Sequence, residues 1–150
     1  MSQELQPKFK KVMIIDDNSI DLYVTSRMIT KNIFGKEVIE CISAEEALQY
    51  LKANENNISA LPEIILVDIY MPLMSGFEFM EEYDKLSPTL KNHCRAFILS
   101  SSIDELDMTR AENDKNVVSF QVKPITKQFL ESINSSHEFS ITLKSKPFTN

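Results

Sequence analysis

Residues 64–76 read IILVDIYMPLMSG, and this stretch constrains the fold more than any other. Ile64, Ile65, Leu66 and Val67 precede a single carboxylate, Asp68, and Ile69 follows it. A near-continuous aliphatic run without alternation is the pattern of a strand covered on both faces, as in a parallel sheet flanked by helices. An ionised Asp inside such a run is costly unless it sits at the strand end, facing solvent or a cation. Met71-Pro72 then stops the strand, since proline offers no N–H to a ladder. Gly76, one of 2 glycines in the chain, precedes the helical pattern FEFMEEYDKL. Asp68 is therefore predicted at the carboxyl end of a central strand, where open α/β sheets keep their sites.

The rest of the chain repeats this rhythm. Lys11–Asp16 (KVMIID) is a short apolar run ending in the acidic pair Asp16-Asp17. Asn18 or Ser19 can cap the helix that follows, because their side chains accept the orphan N–H groups of a first turn. Leu22, Val24, Met28, Ile29 and Ile33 have roughly helical spacing, so the helix is predicted to run to about Phe34, with Gly35 in the left-handed position that ends it. Glu37–Ile42 reads as a strand, and Ser43 with Glu46 as a capping box for the helix AEEALQYLKA. After the central stretch, the helix from Gly76 ends near Leu86 and Ser87-Pro88 punctuates it. Arg95–Ser101 (RAFILSS) is a fourth apolar run, Ile103–Lys115 a weaker polar helix, and Val117–Val122 (VVSFQV) a fifth strand. Asn116 stands at the turn before that strand, where it suits the left-handed conformation. Thr126 caps a last helix to about Ser135. Strand and helix alternating five times, with single-helix crossovers, predict a parallel sheet between layers of helices.

At 150 residues the chain suits one domain: a lead-in over 1–10, a folded unit over 11–136 and a tail over 137–150. The tail, in which Phe139, Ile141 and Leu143 alternate with polar residues, reads as an edge strand, a docked arm or a disordered extension. A net charge of −6 argues against nucleic acid, which calls for a basic stripe. The locally basic Lys8–Lys11 reads as a solvated lead-in. No apolar core of a signal peptide stands in MSQELQPKFK, and no apolar stretch reaches the roughly 18 residues of a membrane span. Cys41 and Cys94 lack metal-type spacing and read as buried free thiols, so the expected compartment is the cytoplasm.

Three of the five strands end in charged groups, Asp16-Asp17, Asp68 and Lys123, and a fourth in Ser100-Ser101. In a parallel sheet all carboxyl ends share one edge, so these groups should converge. Clustered carboxylates repel one another unless a cation lies among them. Oxygen ligands without histidine or cysteine select a hard ion, and Mg²⁺ suits few carboxylates with waters and a phosphate. A lysine opposite them offers a point charge to a phosphoryl oxygen, and a serine hydroxyl a hydrogen bond. Such a set is suited to placing a phosphoryl group on a carboxylate. Taken singly, an acidic pair after a strand most often caps a helix and a lysine before proline is most often a loop residue. Their order at successive strand ends is what sets them apart.

These motifs carry a resemblance. Over residues 11–136 the chain resembles a receiver domain of the two-component response-regulator family, of the single-domain, chemotaxis-regulator-like type. IIDDNS resembles the family's acidic pair, ILVDIYMPLMSG its phosphoacceptor motif D-x-x-M-P-x-x-x-G, ILSS its hydroxyl switch and FQVKP its lysine-proline motif. The resemblance implies a flavodoxin-like, doubly wound sheet of five parallel strands in the order 2-1-3-4-5. It implies that Asp68 is the phosphate-accepting nucleophile. Asp17 would bind Mg²⁺ directly and Asp16 through water, with the Tyr70 carbonyl completing the protein ligands. Lys123 would pair with the phosphoryl group, Ser100 would bond to it, and Phe120 holds the aromatic switch position. Asn116 departs from the family's usual glycine, Ser100 from its commoner threonine, and Phe120 lacks a tyrosine's hydroxyl. Tyr70, two residues past the nucleophile, is bulky there and is expected to shield an acyl phosphate from water.

The function implied is a phosphorylation-dependent switch rather than an enzyme in the usual sense, its own phosphorylation and dephosphorylation aside. A sensor histidine kinase or phosphotransfer protein would donate the phosphoryl group, and an unknown downstream protein would read a surface over residues 103–135. No nucleic acid or membrane is implied, and the protein is expected to be a monomer or a phosphorylation-dependent dimer. Two rivals stand beside this reading. A pseudo-receiver would bind partners without phosphorylation, against which the intact Asp16, Asp17, Asp68 and Lys123 argue. An aspartate-nucleophile phosphohydrolase would need a second acid two residues beyond its nucleophile, where Tyr70 stands.

Overall fold

The five apolar runs lie side by side in a computed structural model that describes residues 5–135. They form β1 (Phe9–Ile15), β2 (Gly35–Cys41), β3 (Ile64–Asp68), β4 (Arg95–Ser100) and β5 (Val117–Val122), in the order β2-β1-β3-β4-β5. Every pairing is parallel. This is the predicted doubly wound, flavodoxin-like sheet. The helices are α1 (Ser19–Lys31), α2 (Ala44–Ala53), α3 (Gly76–Asp84), α4 (Pro88–His93), α5 (Glu105–Glu112) and α6 (Lys127–Ser132), with a 3₁₀ turn at Ile58–Ala60.

Side chains alternate between the two faces of the sheet. Met13, Ile15, Ile65, Val67, Ala96 and Ile98 meet the helices α2 to α5 through Leu48, Leu51, Phe79, Met80, Leu90 and Ala111. Val12, Ile14, Ile64, Leu66, Phe97 and Leu99 meet α1 and α6 through Leu22, Ile29, Phe129 and Leu130. All five residues of β3 are buried, which is why that run shows no polar alternation. The register fixes the rim: Ile15 pairs with Val67, Asp68 with Leu99, and Ser100 with Val122. Asp16, Asp68, Ser100 and Lys123 thus leave the sheet at one edge.

Several local expectations are corrected. Ile33, not Gly35, takes the left-handed position after α1, with φ 55°. Gly35 instead opens β2, and a Cβ there would lie 2.7 Å from Val12 Cγ2, so its role is close approach. In α1 it is Thr25 that is buried and Val24 that faces out. Pro88 does not merely break the chain: it occupies the first turn of α4, where its missing N–H costs nothing, and Ser87 caps it. Asn116 is not left-handed; its amide donates to Asp114 Oδ1 and its side chain to Asp84 Oδ1. The sheet begins at Phe9, inside the stretch read as a lead-in. Phe9 is buried against Phe34, with ring centroids 5.0 Å apart, and Lys8 Nζ donates to the Leu130 and Ile133 carbonyls at the end of α6. The tail read over 137–150 lies outside the described residues.

Candidate functional site

The site is made by four strand ends. Asp16 follows β1; its Oδ1 accepts from the Asn18 amide at 2.9 Å, and Asn18 in turn caps α1 by accepting from the Ile20 and Asp21 amides. Asp68 closes β3 and is 7% exposed. Asp16 is buried and Asp17 exposed, and ligand atoms of Asp16, Asp17 and Asp68 all lie within 4.8 Å of one another. Lys123 follows β5, its amide donating to the Ser100 carbonyl at 2.7 Å. Its ammonium lies 2.9 Å from Asp16 Oδ2 and 3.2 Å from Asp68 Oδ1. The Lys123-Pro124 bond is cis. Ser100 ends β4, fully buried, and its Oγ accepts from the Ser102 amide at 3.2 Å.

Gly76 lets the loop after β3 close tightly. Its amide donates to the Ile69 carbonyl at 2.7 Å, and a Cβ on it would lie 2.4 Å from the Asp68 carbonyl oxygen. A capping box between Ser75 and Glu78 starts α3 immediately after this turn. Leu73, within the turn, has φ 71°. Tyr70 projects outward, 58% exposed, and its hydroxyl donates to Asp107 Oδ2 on α5. Phe120 is half-buried beside the core under α2 to α5, paired with Ile98.

Burial and then the neighbouring charge of Asp16 push the Asp68 carboxyl up to about 6, against the pull of Lys123. Burial works to lower the Lys123 amine, but its hydrogen bonds to Asp21 and Asp16 and the charge of Asp68 hold it above its ordinary value. The acids therefore outnumber the one ammonium among them. Three carboxylates within reach of one point, with no nitrogen or sulfur donor, fit a hard divalent ion such as Mg²⁺. The sequence-predicted residues Asp16, Asp17, Asp68 and Lys123 are brought together. Ser100 borders them through the Lys123 amide, and Phe120 lies further back in β5.

One member of the cluster was not foreseen. Asp21, in the first turn of α1, places Oδ2 2.8 Å from Lys123 Nζ. An acid there is the ordinary complement to a helix dipole, so the sequence alone gives it no separate signal.

A model of the family described as "Response regulator receiver domain" matches residues 12–134. Two-component response regulator ARR2 of Arabidopsis thaliana is 27% identical over 127 residues, covering 85% of this chain but 17% of that protein. Much of that relative's length thus has no counterpart here. The crystal structure of a two-component response regulator from Cytophaga hutchinsonii superposes with a TM-score of 0.77 at 25% identity, covering 92% of this chain and 98% of that one. A response regulator receiver protein from Dyadobacter fermentans gives a TM-score of 0.72 at 27% identity, covering 81% and 95%. Matched by that model over residues 12–134, the chain belongs to the response regulator receiver domain family.

Proposed function

We propose that the protein is a phosphorylation switch in which Asp68 accepts a phosphoryl group from a histidine kinase or phosphotransfer protein. The Asp68 carboxylate attacks phosphorus, a P–O bond forms, and the P–N bond to the donor imidazole breaks, the electron pair leaving on that ring. Mg²⁺, held by Asp17, Asp68, the Tyr70 carbonyl and, through water, Asp16, would neutralise charge on the transferred group. Lys123, already 3.2 Å from Asp68, pairs with a phosphoryl oxygen, and Ser100 moves toward Asp68 to donate a hydrogen bond to another. Phe120 follows by filling the space that Ser100 leaves, a change that rests on packing because its ring has no hydroxyl.

The single observation that supports this most is the meeting of Asp16, Asp17, Asp68 and Lys123 at one rim. The output surface proposed is the face of α5, β5 and α6. Leu106 on α5 is 82% exposed and Ile103 just before it 73%, and the Tyr70–Asp107 bond ties the nucleophile's loop to α5. The proposed setting is the cytoplasm, which suits buried unpaired Cys41 and Cys94. The reader is a protein partner, with neither nucleic acid nor membrane involved, and the switch works as a monomer or a phosphorylation-dependent dimer.

Incubation with acetyl phosphate and Mg²⁺, followed by intact-mass measurement, tests this. A lasting gain of one phosphoryl group, absent in Asp68→Asn, is the expected result. Steady turnover without a lasting gain would indicate a phosphohydrolase, and neither gain nor turnover a pseudo-receiver.

A further inference from the structure

The Lys123 ammonium donates hydrogen bonds to two carboxylates, Asp16 and Asp21, and is ion-paired with a third, Asp68. Asp16 Oδ2 lies at 2.9 Å, Asp21 Oδ2 at 2.8 Å and Asp68 Oδ1 at 3.2 Å. The three carboxylates differ in their surroundings. The side chains of Asp16 and Asp68 are 2% and 10% exposed, whereas that of Asp21 is 40% exposed. Asp21 is also fixed in place, since its amide donates to the Asn18 side chain that caps α1. Its carboxylate therefore reaches over the rim from a rigid helix end.

An ammonium held by Asp16 and Asp21 can follow a phosphoryl oxygen outward from Asp68 only by loosening one of those two bonds. Asp21 is the one released at least cost. Water can replace the ammonium around a half-exposed carboxylate, while Asp16 would be left as unpaired buried charge. We infer that Asp21 is a positioning residue that holds Lys123 in its resting place and competes for it with a phosphoryl group on Asp68. This rests on Asp68 being the phosphoacceptor. Removing Asp21 should then make the site receive a phosphoryl group more readily. A residue that only supported the start of α1 would act in the opposite direction, because a loosened helix end weakens the site.

The test uses the ¹⁵N-labelled full chain titrated with beryllofluoride, a phosphoryl mimic, at saturating Mg²⁺, read from amide shifts. Saturation removes from the comparison the effect of one fewer negative charge on metal affinity. The wild type is expected to bind the mimic, and Asp68→Asn not to. Asp21→Ala is expected to bind about threefold more tightly, the size typical of losing a half-exposed ion pair. Asp21→Asn should shift in the same direction but less, and Asp21→Glu, which restores the charge, should return toward the wild type. A wild type that fails to bind would remove the phosphoacceptor reading, and this inference with it. Wild-type binding with Asp21→Ala and Asp21→Asn unchanged or weaker would overturn the inference alone.

Discussion

At the scale of single residues, Gly76 leaves no room for a side chain. The atoms a Cβ would strike are the Asp68 carbonyl oxygen at 2.4 Å and Ile69 Cα at 3.0 Å, both backbone, so neither can swing aside. Gly76→Ala is expected to lower stability by about 1–3 kcal/mol, as overpacking does. Urea denaturation checks this, and an unchanged midpoint would contradict it. Tyr70 supports a different prediction. Its ring stands beside the nucleophile's loop with its hydroxyl anchored on Asp107. Tyr70→Asn is expected to shorten the lifetime of the acyl phosphate several-fold, and Tyr70→Phe, which keeps the ring, to leave it near the wild-type value. Phosphate release from the phosphorylated protein measures both; an equal or longer lifetime in Tyr70→Asn would show that the ring is no shield. Asp16, Asp17, Asp68 and Lys123 were legible in the sequence because each ends a strand. Asp21 was not, because its approach to Lys123 depends on how α1 is angled against β5, which no local pattern encodes.

At the scale of elements, the end of α1 carries visible strain. The Phe34 amide donates to the Ile29 carbonyl at 2.9 Å and the Ile33 amide to the Thr30 carbonyl at 3.2 Å, the bonding of a Schellman motif. That motif requires a left-handed residue, and here it is the β-branched Ile33. Ile33→Gly is expected to raise stability by about 1 kcal/mol by relieving this conformation. An increased urea midpoint with an unchanged slope would bear that out, and a decrease would contradict it. The sequence pointed to Gly35 because glycine is the usual occupant, while the packing of Val12 and Ile29 had already claimed that glycine for close approach. Similarly, α4 was hidden by Ser87-Pro88, a pair that ends one helix and starts another with the same chemistry. Strands were easier to place, since burial on both faces leaves a continuous apolar run.

At the scale of the whole molecule, two hydrophobic cores clamp one sheet, and both thiols lie in the core under α2 to α5. Cys41 and Cys94 are 2% and 4% exposed, and burial pushes both up to about 12. Because the thiolate is the reactive form, neither is expected to react with a disulfide reagent at pH 8 until the protein is unfolded. Rapid modification of the native protein would show that a core opens. The overall architecture was readable because strand and helix alternate regularly, and parallel strands joined by helices place every carboxyl end on one edge. The convergence of those ends is the claim on which the rest depends. A Mg²⁺ titration followed by amide shifts tests it most directly. The amides of Asp16, Asp17, Asp68 and Tyr70 are expected to move together with one midpoint, and Asp17→Asn to abolish the movement at Asp68. Shifts confined to Asp16 and Asp17, with Asp68 unmoved, would mean that these acids share no ion.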